Sequence, residues 1–111
     1  MRMNLPPLLW VRVLEAAVRH GSFVGAAREL CVCPGAVSRT IKELEAFLGA
    51  KLFVRRARGV VPTETARTYA QAIAPALEQI AQASADVRRS RAAAGASKLA
   101  RSDGSSTAAA R

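Results

Sequence analysis

Apolar residues recur along the first half of the chain at helical spacing. Leu8, Leu9, Val11, Val13, Leu14, Ala17 and Val18 form a broad apolar face, and Pro6 and Pro7 suit a first turn, where a missing N–H removes no intrahelical bond. This predicts a first helix over about 6–19. Gly21 interrupts the pattern and Ser22 is a good N-cap for a short second helix, with Phe23, Ala26, Ala27 and Leu30 turned inward. That helix must end near Cys31. Pro34 then fits the first turn of a third helix capped by Cys33, and Val37, Ile41, Leu44 and Leu48 recur at +4, +3 and +4 as one buried stripe before the stop at Gly49.

The pattern changes at "KLFVRRARGVVPT", where β-branched and aromatic residues flank a basic turn and predict a hairpin of about 51–56 and 59–62. Thr63 caps a last helix from Glu64 to about Arg91, on the order of 40 Å long at 1.5 Å per residue. Along it Ala66, Ala70, Ile73, Leu77, Ile80, Ser84 and Val87 alternate +4 and +3 spacings, a heptad-like seam for pairing with a second helix. Pro75 sits inside and is expected to bend or interrupt it. From Ala92 onward small and charged residues dominate, which predicts a disordered tail over 92–111. The organisation expected is a folded domain over 1–62, a linker helix over 63–91 and that tail.

Helix, short helix, tight turn, amphipathic helix, basic hairpin and long helix in this order describe a mainly α winged helix-turn-helix, with a two-stranded wing. In such a fold the body braces the third helix, whose exposed face enters a major groove. Turning Val37, Ile41, Leu44 and Leu48 inward leaves Gly35, Ser38, Arg39 and Lys42 outside. Arg39 offers a planar donor fork for guanine O6 and N7 or for a phosphate; Ser38 can donate to a base edge or a phosphate; Gly35 lets the helix N-terminus come close to the backbone. Lys42, a turn further on, suits a phosphate.

Charge points the same way. Lys and Arg outnumber Asp and Glu by 17 to 8, a net +9 that calls for an anionic partner, with nucleic acid ahead of an acidic membrane surface or an acidic protein. Lys51, Arg55, Arg56 and Arg58 put four cations into eight residues of the hairpin with no acid among them, as a wing on phosphates or in a minor groove requires. Any one of these arginines read alone is equally a solvated surface charge; helix face and wing together argue for DNA.

Other chemistries find little support. Cys31, Cys33, the distant His20 and scattered carboxylates lack any structural-zinc spacing, so no metal and no cofactor is expected. Cys31 reads as a small core residue at the end of helix two. Cys33, at a helix N-terminus beside cations, is a candidate for redox modulation of binding. Trp10 and Phe53 read as core aromatics and His20 as a helix-end residue favouring the dipole. No nucleophile–base arrangement or phosphate loop supports an enzyme. The apolar runs fall well short of the roughly 18 residues that span a bilayer, and no cleavage site follows the first of them. A cytoplasmic, non-membrane protein with reduced thiols is expected.

The ordered motifs "LEAAVRHGSF", "GAAREL", "PGAVSRTIKELEAFLGAKLF", "RRARGV" and "PTETA" resemble the N-terminal DNA-binding domain of the LysR-type transcriptional regulators over roughly residues 5–91. Within that family "PGAVSR" is similar to the glycine-cleavage and β-lactamase-type activators. The resemblance implies recognition-helix contacts at Pro34, Gly35, Ser38 and Arg39 and wing contacts at Arg55 and Arg58. It also implies sequence-specific binding of double-stranded DNA in bacteria, in the cytoplasm and at the nucleoid, by dimers paired through the linker helix, here at Ile73, Leu77, Ile80 and Val87.

The sequence departs from the family pattern at several points. Cys33-Pro34 stands where many members have Thr-Gln, losing a hydroxyl cap and a polar side chain that reaches DNA; Ala66 stands where Gly is common, and Gly25 where Arg or Lys is. The family's larger effector-binding domain has no counterpart here, so no small-molecule effector site is expected, and the chain reads as a truncated product, a fragment or a stand-alone reader. An alternative function is a protein-interaction module that pairs through the linker helix with full-length relatives and modulates them.

Overall fold

The computed structural model describes residues 3–101, in the order α1 (Leu8–His20), α2 (Phe23–Leu30), α3 (Pro34–Leu48), β1 (Phe53–Arg56), β2 (Gly59–Pro62) and α4 (Glu64–Arg101). This is the winged helix-turn-helix expected, mainly helical with one antiparallel hairpin. The described residues up to Pro75 form one compact unit and those from Ala76 a second.

The first unit is built around Leu14, Val37, Leu44 and Leu52, all fully buried. They come from α1, α3 and the segment entering the wing, so one core fixes the recognition elements together. Ala16, Ala17, Ala26 and Ala27 are buried between the helices, where small side chains let the backbones approach. Trp10, Val18 and Leu30 pack on this core, and Phe23 meets Phe53 edge-to-face with ring centroids 5.0 Å apart, a preferred aromatic geometry. Gly25 lies tight against the end of α1: a Cβ there would lie 2.9 Å from the Cβ of His20. The Arg or Lys of the family pattern does not fit against His20 as it stands.

A cluster of charge straps α1 to α2. Arg19 forks onto Glu15 (Nε to Oε2 2.8 Å, Nη2 to Oε1 2.7 Å) and onto Glu29 (Nη1 to Oε1 2.8 Å, Nη2 to Oε2 2.9 Å). His20 Nε2 lies 2.6 Å from Glu29 Oε1. Bonding to Arg19 first, and to His20 second, draws the Glu29 carboxyl down to about 2, and Arg19 lowers Glu15 as well.

Several boundaries differ from the sequence reading for identifiable reasons. The first helix starts at Leu8, with Pro7 extended at the N-cap (ψ 141°); Pro6 stays outside it because a residue before a proline is pushed out of the helical region. Strand β1 starts at Phe53; Lys51 and Leu52 precede it, where the Leu52 N–H is taken by a side chain. Cys31 is not a core residue: it is exposed, and it caps α2 in the left-handed region at φ 59°. The chain must reverse there to enter the turn, and that geometry points the side chain to solvent.

The last helix runs ten residues beyond the expected Arg91, to Arg101, where a tail was expected from Ala92. The stretch from Ala92 is rich in Ala with Lys, Leu and Arg, the strongest helix formers, and low hydrophobicity alone does not unmake a helix already nucleated. The rest of the predicted tail, 102–111, lies outside the described residues. Helix α4 is continuous through Pro75. Its predicted seam divides. Ala66 and Ala70 are buried and Ile73 packs on the core of the first unit, so Ile73, expected to face a partner, is engaged within its own domain. Ile80 and Val87 are 47% and 62% exposed.

Candidate nucleic-acid interface

Helix α3 begins with Pro34 at its first position and Cys33 at the N-cap. Cys33 makes no side-chain cap bond, unlike Ser22, whose hydroxyl accepts the Gly25 N–H at 2.9 Å. The cost of the missing hydroxyl expected from the sequence is thus visible. Pro34, Gly35, Arg39 and Lys42 are exposed and Ser38 is half-buried, while Val37, Ile41 and Leu44 on the opposite side are buried. The space before Gly35 is open, with no atom within 4 Å of where a Cβ would stand.

The wing pairs Phe53 with Pro62, Val54 with Val61, Arg55 with Val60 and Arg56 with Gly59. That register leaves Ala57 and Arg58 as a two-residue turn, closed by Gly59 at φ 123°, a conformation open to glycine at no steric cost. Arg55, Arg56 and Arg58 are exposed, and none makes an ion pair among the described residues.

Two side chains fix the wing in place: Glu45, which the sequence reading did not single out, and Thr63. Glu45, on α3, accepts the N–H of Leu52 at 2.8 Å and of Phe53 at 3.3 Å through Oε2, and its Oε1 lies 3.8 Å from Lys51 Nζ. Thr63, predicted only as a cap, accepts the Ala66 N–H at 3.2 Å. Its hydroxyl also donates to the Lys51 carbonyl at 2.9 Å, so one side chain joins the foot of the wing to the start of α4. An acid beside a buried stripe, as in "KELEAF", is the only signal for Glu45, and a solvated glutamate gives the same signal.

As a result helix and wing flank one cleft of about 240 Å³, whose lining includes Ser38, Lys42, Lys51 and Arg55 together with Phe23 and Phe53. Three cations and a hydroxyl converge there, and Glu45, the one acid in the lining, is already occupied by backbone donors. Such a rim suits phosphate oxygens, with Arg39 outside it on the exposed face for a base edge. Cys31 and Cys33 are free and exposed in the turn between α2 and α3. Among the described residues no three His, Cys, Asp or Glu side chains stand together to hold a metal ion, and no helix is long and apolar enough to cross a membrane.

Comparison with known proteins gives this geometry a context. Residues 8–67 match the model of the lysR family of bacterial regulatory helix-turn-helix proteins. The glycine cleavage system transcriptional activator of Escherichia coli K12 is 48% identical over 83 residues, 75% of this chain and 27% of that protein. The transcriptional regulator TrpI of Pseudomonas aeruginosa is 40% identical over 89 residues, 80% of this chain and 30% of that one. The chain therefore spans between a quarter and a third of the length of these relatives. Among solved structures, the BenM DNA-binding domain in complex with catB site 1 DNA superposes with TM-score 0.69 at 31% identity, covering 76% of this chain and 93% of that one. The CbnR DNA-binding domain in its DNA complex gives 0.63 at 32% identity, over 78% and 95%. A family match over more than half its length, on the fold described, places the chain in the lysR family of bacterial regulatory helix-turn-helix proteins.

Proposed function

We propose that this chain is the sequence-reading unit of a LysR-type transcriptional regulator: it binds double-stranded DNA through α3 and the wing, in the bacterial cytoplasm, as a homodimer paired along α4. The observation that carries the reading is the cleft between α3 and β1, lined by Ser38 and Lys42 of the helix, Lys51 ahead of the wing and Arg55 within it, with the exposed Arg39 on the same helix. The wing arginines are not neutralised by acids among the described residues, so they meet a polyanion without first breaking an ion pair. Base readout falls to Arg39 and Ser38, positioning to Pro34, Gly35 and Lys42, and backbone neutralisation to Arg55, Arg56 and Arg58. Leu77, Ile80 and Val87 supply the pairing stripe. The role is binding rather than catalysis.

Selection of bound duplexes from a random pool, followed by salt titration on the winner, tests the proposal. An enriched, partly palindromic motif is expected, with log K falling against log salt by roughly 0.9 for each phosphate neutralised. Binding without enrichment at any salt concentration would remove sequence reading.

A further inference from the structure

The unit beyond Pro75 carries a charge pattern that the contacts of α3 and the wing leave unused. Arg88, Arg89 and Arg91 stand exposed within four residues of α4, and the run continues with Lys98 and Arg101 before the next acid, Asp103. Asp86 closes the run on its other side. It pairs with Arg89 and accepts Gln82 Nε2 at 3.0 Å, whereas Arg88 and Arg91 make no ion pair among the described residues.

Spacing converts this run into a stripe. Positions 88 and 91 are neighbours on one side of the helix, and at about 100° per residue position 98 returns to within about 20° of 91, so cationic positions recur over roughly 15 Å. A repeating line of positive charge matches an extended polyanion better than a single carboxylate. Duplex DNA presents about one charge per 1.7 Å of axis. An anionic membrane fits less well, because a surface-bound helix needs a face of large apolar side chains, and residues 88–98 are only Arg, Ser, Ala, Gly and Lys.

We infer that the cationic stripe beginning at Arg88 and Arg91 on α4 forms a second, sequence-indifferent contact with the DNA backbone. The inference rests on the DNA-reading proposal above, and it assigns part of the affinity to a segment outside the winged domain. Arg88 and Arg91 neutralise phosphates, Arg89 is held back by Asp86, and base discrimination stays with α3.

The test is a salt titration of the 111-residue chain and its Arg88→Ala/Arg91→Ala variant on the selected duplex and on a scrambled one. Alanine keeps the helix. Loss of two phosphate contacts makes the slope shallower by about 1.8 on both duplexes, the preference between them unchanged, while Arg88→Lys/Arg91→Lys keeps the wild-type slope. An unchanged slope in the alanine variant overturns the inference and leaves the DNA reading standing; a wild-type chain with no salt-dependent binding overturns both. A slope lost together with a change in sedimenting mass assigns the arginines to self-association. An unchanged DNA slope with weakened binding to phosphatidylglycerol vesicles assigns them to a membrane. Either result overturns the inference.

Discussion

Arg39 combines a fork of donors with an exposed position one turn into α3, and these two properties make it the residue on which discrimination should depend. Arg39→Ala is expected to relax the preference between the selected duplex and its variants at one base pair, at about 1–3 kcal/mol if both fork donors meet a guanine. Competition binding against single-base variants of the site checks this, and unaltered ratios would move Arg39 to the phosphate contacts. Cys31 raises a different question, because it is the one non-glycine residue at positive φ among those described, at 59°. Its exposed side chain contributes no packing, and a left-handed residue with a Cβ costs roughly 1–2 kcal/mol. Cys31→Gly should therefore raise stability by about 1 kcal/mol, read as a higher denaturant midpoint at constant slope. An unmoved or lower midpoint would show that the thiol makes a stabilising contact. The sequence pointed to Arg39 through the periodicity of the buried stripe: once Val37, Ile41 and Leu44 face inward, the helix leaves Arg39 outside. Cys31 was misjudged because apolar character predicts burial only on average, and a cap position is set by where the chain turns.

At the level of elements, the wing is held by polar side chains that have no periodic signature. Glu45 reaches two backbone N–H groups of the segment entering β1, and Thr63 joins the Lys51 carbonyl, ahead of β1, to the start of α4. The hairpin was legible from "RRARG" between β-branched residues, but its attachment to α3 depends on contacts between residues six to eight positions apart that no periodic pattern marks. The same holds for the strap between α1 and α2: the spacing of Glu15 and Arg19 is a visible i,i+4 pair, while the reach of Arg19 to Glu29 exists only once the helices pack. That strap makes a pH prediction. Glu29 has its folded-state pKa depressed from 4.5 to about 2, so the folded state binds fewer protons than the unfolded state. The stabilisation is complete above the unfolded value and is lost as pH falls through the folded one. Partial exposure of Glu29 and Arg19 keeps the effect modest and salt-sensitive. Thermal midpoints measured from pH 6 to 2 should fall less steeply below pH 4.5 in Glu29→Gln than in the wild type. Parallel curves would mean that Arg19 and His20 are not paired to Glu29 in solution.

For the molecule as a whole, one heptad-like pattern serves two purposes along α4. Its first positions, Ala66, Ala70 and Ile73, complete the core of the first unit, and the positions after Pro75 leave Ile80 and Val87 without cover among the described residues. Periodicity alone does not separate these uses, since a helix packed on its own domain and a helix packed on a partner show the same 3.5 to 3.6 repeat. Substitution separates them. Ile73→Glu places a charge against the core of its own domain and should lower the thermal midpoint whatever the oligomeric state, because an unpaired buried charge is costly. Ile80→Glu leaves that core untouched. It should shift the sedimenting mass from dimer to monomer while the unfolding transition of the winged domain is retained, and weaken binding to a two-half-site duplex more than to a single half-site. A mass that stays dimeric with Ile80→Glu would place the pairing surface elsewhere. A lowered midpoint with no change in mass would instead mean that the stripe beyond Pro75 also stabilises its own protomer, and that α4 is first of all a structural continuation of the domain it leaves.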